Sequence, residues 1–107
     1  MTVSVLDSYV ESMERIQPNQ ANNYGNTHGG EMVRLMDELA AVAAMTVAGE
    51  TCVTAHISSV DFRDPIPVTT AACFTMVAVG EDGDPVEVPA VVPETDRGER
   101  LVETAPC

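Results

Sequence analysis

Apolar and polar positions repeat with different periods along this chain, and each change of period marks an element. From Glu31 to Ala48, Met32, Leu35, Met36, Leu39, Val42, Ala43 and Val47 recur at spacings of three and four, the stripe of an α-helix. No proline or glycine interrupts the stretch, and Met, Leu, Ala and Glu are good helix formers. Ala40, Ala41 and Ala44 leave few polar positions in its second half, so the pattern predicts a helix over about 30–48, apolar nearly all round and therefore buried, with Gly49 as its stop. Thr51 to Phe62 is rich in β-branched residues and alternates, Val53, Ala55, Ile57 and Ser59 against Thr54, His56, Ser58 and Val60, which predicts a strand. Asp64-Pro65-Ile66-Pro67 breaks it, Thr70 to Val79 reads as a second strand, and Gly80 to Pro85 as a turn. The tail from about 86 carries a short helix over about 94–103. Ahead of the long helix, residues 1–7 read as a loose terminus and 8–17 as a strand with Val10 and Ile16 on one face. Pro18 to Asn26, with five amide side chains among proline and glycine, reads as a loop.

One apolar helix followed by antiparallel strands points to an α+β fold in a single domain over 1–107, with the sheet curled around the helix. A chain this short hides only about 60–65 % of the surface it would expose unfolded, so its core is modest and oligomerisation adds burial. With Tyr9, Tyr24, Phe62 and Phe74 as the aromatics and no Trp, that core is built from Val, Ala, Met, Leu and Ile. The net charge of −12 sets 17 acidic residues against 5 basic ones, all arginine. That balance excludes a nucleic-acid footprint and disfavours an anionic membrane surface. Acidic excess without lysine points to a halophilic, saline cytoplasm, where a charged surface keeps a protein soluble; the plainer alternative is an acidic protein of a mesophile. The longest nearly apolar run, Leu39 to Ala48, is too short to cross a membrane, and no basic segment leads into an apolar one at the start. Cys52, Cys73 and Cys107 form no C-x-x-C and read as reduced cytoplasmic thiols.

The densest candidate chemistry is Asn26-Thr27-His28-Gly29-Gly30-Glu31, followed by Asp37. Two glycines at a helix start leave backbone N–H groups facing outward, and the positive helix end favours developing negative charge, which is an oxyanion arrangement. Asp37 follows about two turns later. A carboxylate in an apolar helix has either partners or a task; the competing reading is a solvated side shared with Glu31, Arg34 and Glu38. His28 and Glu31 are spaced to share a metal, but the neighbouring sequence supplies no further ligand, so no metal is expected. His56 reads as an ordinary strand residue, and no cysteine has a neighbour that would activate it as a nucleophile. Phosphate-loop and dinucleotide fingerprints are missing from the sequence, and no cofactor is expected.

The same residues carry a family resemblance. Pro18-Asn19-Gln20-Ala21-Asn22, then Gly25 through Glu31, then Leu35-Met36-Asp37-Glu38-Leu39-Ala40 resemble the hotdog-fold acyl-CoA thioesterases. The nearest branch holds the bacterial YciA-type enzymes and the cytosolic long-chain acyl-CoA hydrolases. Val53 to Phe62, Phe74 to Val79, and Val88-Pro89 with Val92-Pro93-Glu94-Thr95 agree with it. The resemblance implies a helix held in an antiparallel sheet, a homodimer or trimer of dimers with active sites at the dimer interface, and hydrolysis of fatty acyl-CoA to fatty acid and coenzyme A. It implies Asp37 as general base or nucleophile, Asn26 positioning water or carbonyl from the partner's side, and the Gly30 N–H as oxyanion donor. His28, Gly29, Thr54 and Arg63 then line the substrate, and Arg34, Arg97 and Arg100 join Arg63 as phosphate candidates. One departure stands out: two strands' worth of family chain is missing between Val68 and Thr69, which leaves the sheet short with new edges. The alternative reading that follows is an impaired hotdog module that binds acyl-CoA or only dimerises.

Overall fold

His28 and Gly49 fix the two ends of the long helix. In the computed structural model, which describes residues 2–20, 28–65, 68–105 and 107 but not the side chains of 62–65 and 68–70, this helix (α2) spans Gly29–Ala48. It ends where Gly49 takes the left-handed φ of 67° and returns its N–H to Met45 O at 2.9 Å, a conformation glycine adopts without a Cβ penalty. Before α2 come strand β1 (Thr2–Ser4), helix α1 (Val5–Ser8) and a 3-10 turn at Pro18–Gln20. After it come β2 (Thr51–Pro65), β3 (Val68–Val79), β4 (Ala90–Val92) and helix α3 (Asp96–Thr104).

β2 and β3 form an antiparallel ribbon from Thr51↔Val79 to Pro65↔Val68. β2 has 15 residues and β3 has 12. Register shifts at Thr54/His56, Ile57/Ser59 and Phe62/Asp64 absorb the difference by inserting Ala55, Ser58 and Arg63. Each bulge resets which side chains share a face, so the simple alternation read from the sequence holds only between bulges. Bulges also bend a strand, and the bent ribbon lies against α2 along both β2 and β3. The strand does not break at Asp64-Pro65. Pro65 is tolerated because it is the last ladder position, while Ile66 and Pro67 lie outside the described residues. The predicted turn is present: Gly80 N–H donates to Asp84 O at 2.9 Å, and Gly83 has φ 83°.

Three expectations about the ends of the chain are corrected. Residues 2–7 are not a loose terminus, because β1 pairs in parallel with β4, Thr2↔Ala90 to Ser4↔Val92, and runs into α1; Met1 lies outside the described residues. Residues 9–17 form no strand: α1 ends at Ser8, and the polar Ser12 and Glu14 leave no continuous apolar edge to pair. The Tyr9 ring instead lies under the Arg97 guanidinium, 5.3 Å from its centroid, which ties this segment to α3. The thiols are not all reduced: Cys73 and Cys107 are joined, with their Cα atoms 6.1 Å apart, and Cys52 is free and buried. α3 closes onto α1 through Gly98, where an added Cβ would meet Thr95 Oγ1 at 3.2 Å and Val5 Cβ at 3.5 Å.

The helix read as buried is not buried in the single chain. Among the described residues the buried apolar ones are Cys52, Cys73 and Ala78, and none of them is on α2. Val42 on α2 and Val53 on β2 are each 48 % exposed. The chain exposes 7470 Å², against about 5,800 Å² for a compact monomer of this mass. Its radius of gyration is 15.5 Å, against about 13 Å for a compact chain of this length. Among the described residues no helix is long and apolar enough to cross a membrane.

The Cys73–Cys107 bridge closes a loop across a sequence separation of 34, which restrains the unfolded chain by about 4 kcal/mol. Urea unfolding under reducing conditions, or of Cys107→Ser, is expected to show a loss of that order. An unchanged midpoint would show that the bridge does not hold the C-terminus.

Candidate functional site

The polar residues at the start of α2 form a clamp. His28 N–H donates to Gln20 O at 2.7 Å, which brings together the two ends of the segment 21–27. The Gln20 side chain uses both ends of its amide: Oε1 accepts from Gln17 N–H at 2.7 Å, and Nε2 donates to Glu31 Oε1 at 2.9 Å. Glu31 also pairs with Arg34, whose other nitrogen reaches Glu38 Oε1 at 2.7 Å. Hydrogen bonds from Arg34 first and Gln20 second hold the Glu31 carboxyl below its ordinary range. Asn26 lies in 21–27, outside the described residues.

His28 is the N-cap of α2, and its Nδ1 accepts from Gly30 N–H at 3.3 Å. The N–H expected to meet a substrate oxygen is therefore engaged within the chain. Gly29 is the first residue of the helix. Of the pair considered for a metal, His28 Nδ1 is bonded to Gly30 N–H, and Glu31 Oε1 to Gln20 and Arg34.

The second centre joins helix to ribbon. Asp37 is half-buried in the middle of α2, and Thr54, on β2 next to the first bulge, donates its hydroxyl to Asp37 Oδ1 at 2.5 Å. The Thr54 oxygen is also 3.3 Å from Met76 Sδ, on the residue paired with it across the ribbon. A hydroxyl has one proton, and an ionised carboxylate is a far better acceptor than a thioether, so the proton points to Asp37. Among the described residues Asp37 Oδ2 has no hydrogen bond, which leaves it able to accept from a water. Asp37 therefore has a partner and is not simply part of a solvated side; Arg34 turns to Glu31 and Glu38 instead. Arg63 is on β2, but its side chain lies outside the described part, and His56 is exposed opposite Thr75.

The structure thus brings together Asp37 with Thr54, and His28 with Gly30, but not the two pairs with each other. Gly30 and Asp37 are seven residues apart on one straight element, roughly 10 Å along its axis. One carbonyl cannot meet both groups of the same chain. An apolar groove of about 400 Å³ runs between α2 and residues 12–16, lined by Ile16, Met32, Leu35, Met36, Leu39 and Val42, with Glu14 and Glu38 among its polar residues; Asp37 and Thr54 are not in its lining.

The profile of the thioesterase superfamily matches residues 24–79. An acyl-CoA thioester hydrolase of Bacillus subtilis, YkhA, is 27% identical over 135 aligned residues, covering 92% of this chain and 78% of the relative. Those 135 positions exceed the 107 residues of this chain, so at least 28 of them face a gap here. The cytosolic acyl coenzyme A thioester hydrolase of Rattus norvegicus is 26% identical over 90% of this chain, which spans 36% of the rat enzyme's length. Among solved structures, a Staphylococcus aureus acyl-CoA hydrolase in complex with butyryl coenzyme A, coenzyme A and coenzyme A disulfide superposes with a TM-score of 0.88 at 26% identity, covering 99% of this chain and 87% of its own. A hexameric acyl-CoA thioesterase superposes with a TM-score of 0.82 at 31% identity, covering 97% of this chain and 91% of its own. These neighbours have the hotdog fold, which assigns that fold to this chain.

The Staphylococcus enzyme has also been solved as single Asn, Asp and Thr to Ala variants, in which the Asp lies 15 positions after the Asn and 17 before the Thr. In this chain the same two spacings connect Asn22, Asp37 and Thr54. Asn22 was not among the residues singled out from the sequence. The signal that finds it is its distance from Asp37 rather than its place in the glycine motif.

The clamp carries a pH dependence with a definite sign. Glu31 has a lowered pKa in the folded chain, so its contribution is complete above the ordinary glutamate range and is lost as pH falls through the lowered value. Arg34→Met removes the main cause and is expected to shift this loss to higher pH. Hydrogen exchange of the His28 amide, followed from neutral to acid pH, measures it; identical profiles for the two proteins would dissociate Arg34 from the clamp.

Proposed function

Starting from the thioesterase superfamily, to which this chain belongs, we propose that it hydrolyses the thioester of fatty acyl-CoA to free fatty acid and coenzyme A. The observation that carries the reading is the Thr54–Asp37 hydrogen bond. Thr54 fixes one carboxylate oxygen and leaves the other free to take a proton from water. In the proposed reaction Asp37 accepts that proton as the water oxygen bonds to the thioester carbon, and the carbonyl oxygen becomes an oxyanion. The oxyanion meets the Gly30 N–H at the positive end of α2. The C–S bond then breaks, and the coenzyme A thiolate takes the proton back.

The roughly 10 Å between Gly30 and Asp37 supports a site made by two chains, Gly30 of one opposite Asp37 of the other. The excess exposed area and the half-exposed Val42 and Val53 support the same homodimer, and the hexameric relative supports further assembly of dimers. Asn22, from its spacing, or Asn26, from the glycine motif, would position the water or carbonyl from the partner's side. We place the acyl chain in the apolar groove of about 400 Å³ next to Met36, with Gly29, His28 and Arg63 toward the coenzyme A end. We also propose that the alignment gap falls between Val68 and Thr69, since Val68 opens β3 only two residues after β2 ends. The short ribbon this leaves favours one second reading, a hotdog module that binds acyl-CoA without turnover.

Release of free thiol from an acyl-CoA panel at high salt tests the activity; tight binding without turnover selects the second reading. Asp37→Asn is expected to lower kcat by about 10²–10⁴-fold, and an unchanged rate excludes Asp37 as base. Single-turnover hydrolysis in ¹⁸O-water is expected to leave Asp37 unlabelled; label in its carboxylate would make it a nucleophile instead. Thr54→Ala loses a bond to a charged group, about 1.5–3 kcal/mol, or roughly 10–100-fold in rate, and Thr54→Ser restores most of it. Asn22→Ala is expected to cost more activity than Asn26→Ala, and the reverse order would return the role to Asn26.

A further inference from the structure

We propose that His28 is a positioning residue that occupies the Gly30 N–H in the free enzyme and yields it to the substrate oxygen during reaction. This inference rests on the assignment of Gly30 as the oxyanion donor. Three observations carry it. First, the bond is weak. At 3.3 Å it lies beyond the usual range of such bonds, whereas the Thr95 cap on α3 holds Gly98 N–H at 2.9 Å. Histidine is not among the preferred N-cap residues either, although α3 shows that this chain uses one where a helix only needs closing.

Second, the imidazole alone covers this face of Gly30. A Cβ built there would meet His28 Nδ1 at 3.6 Å and His28 Cε1 at 3.9 Å and, among the described residues, no other atom within 4 Å. Rotating the imidazole away releases the Gly30 N–H from its Nδ1 partner. Third, the His28 backbone is held independently of its side chain. Its N–H donates to Gln20 O at 2.7 Å, and its carbonyl accepts from Met32 N–H at 3.1 Å. The side chain can turn about its own bonds while the start of the helix stays in place.

The exchange has a direction. A neutral imidazole nitrogen is a modest acceptor, and an oxygen that is becoming negative is a much stronger one. The N–H thus stays with His28 in the free enzyme and passes to the substrate oxygen as charge builds on it. In the interval the donor is neither left open to water nor permanently committed. The cap lowers the free energy of the free enzyme and so slows the reaction by the strength of one weak hydrogen bond.

The test compares His28→Ala, which removes the acceptor, with His28→Asn, which supplies a better cap. Alanine is expected to lower Tm and raise kcat/KM about 3- to 10-fold, the value of one exposed hydrogen bond. Asparagine is expected to keep or raise Tm and lower kcat/KM. A purely structural cap would move stability and activity together, and that result overturns the proposal. Gly30→Pro separates this failure from that of the underlying assignment, because proline is tolerated in the first helical turn and replaces the N–H with a ring carbon that cannot donate. Full activity in a folded Gly30→Pro protein rejects Gly30 as donor, and the exchange with it. Loss of activity there, together with His28 variants altered only in Tm, rejects the exchange alone. Should Gly30→Pro fail to fold, the Gly30 amide resonance of ¹⁵N-labelled protein decides: it is expected to shift in His28→Ala and again when a non-hydrolysable acyl-CoA ketone is added to the unmutated enzyme. A resonance that moves in the variant but not with the ketone overturns the proposal.

Discussion

The Thr54 hydroxyl on the Asp37 carboxylate is the bond that sets the helix in place against the ribbon. α2 carries Ala40, Ala41, Ala43, Ala44 and Ala48, small side chains that pack closely but direct little. A charge-assisted hydrogen bond at 2.5 Å supplies the direction. It also makes a half-buried carboxylate tolerable, since an unpartnered one at that depth would be costly. The bulge after Thr54 changes the phase of β2 at the point where this side chain must face the helix. In the proposed reaction structure and chemistry share one contact: the hydroxyl that bonds helix to ribbon is also the one that would orient the carboxylate.

The remaining polar groups sit at the other end of α2, where Gln20, Glu31 and Arg34 fasten the chain entering the helix. Met32, Leu35 and Met36, between the two centres, are half-exposed in the single chain. The ribbon covers the helix on one side and leaves the rest of its apolar surface half-exposed. The same feature, a long helix with polar groups at two depths, accounts for the exposed surface and is the ground on which a second chain is proposed.

The sequence made α2 legible because nothing in it opposes the helical stripe, from the missing glycines and prolines to Gly49 at its stop. The ribbon was legible in position but not in detail: bulges at Ala55, Ser58 and Arg63 leave no trace in composition and depend on β3 being shorter. β1 escaped notice because a three-residue strand has no period, and its partner β4 lies at the other end of the chain. The bridge escaped for a similar reason, since spacing alone does not tell that Cys107 returns to Cys73. At the site, Asp37 stood out as a carboxylate in an apolar run and Thr54 through the family resemblance; their contact is tertiary and needed the fold. The bond from Gly30 to His28 could not be read beforehand, because histidine at a helix start announces neither a cap nor a competitor.

The parallel pairing of β1 with β4 also orders the assembly of the chain. Thr2 meets Ala90 across almost the whole sequence, while β2 and β3 meet across a hairpin. Loop closure makes distant contacts the slower ones to form, and the bridge from Cys73 to Cys107 brings β4 no nearer to the N-terminus, because it encloses β4 and leaves β1 outside. The ribbon, α2 and the C-terminal ring can therefore form before the first residues arrive. Only three ladder pairs hold β1 when it does, so the N-terminal edge is the part of the fold that closes last and opens first.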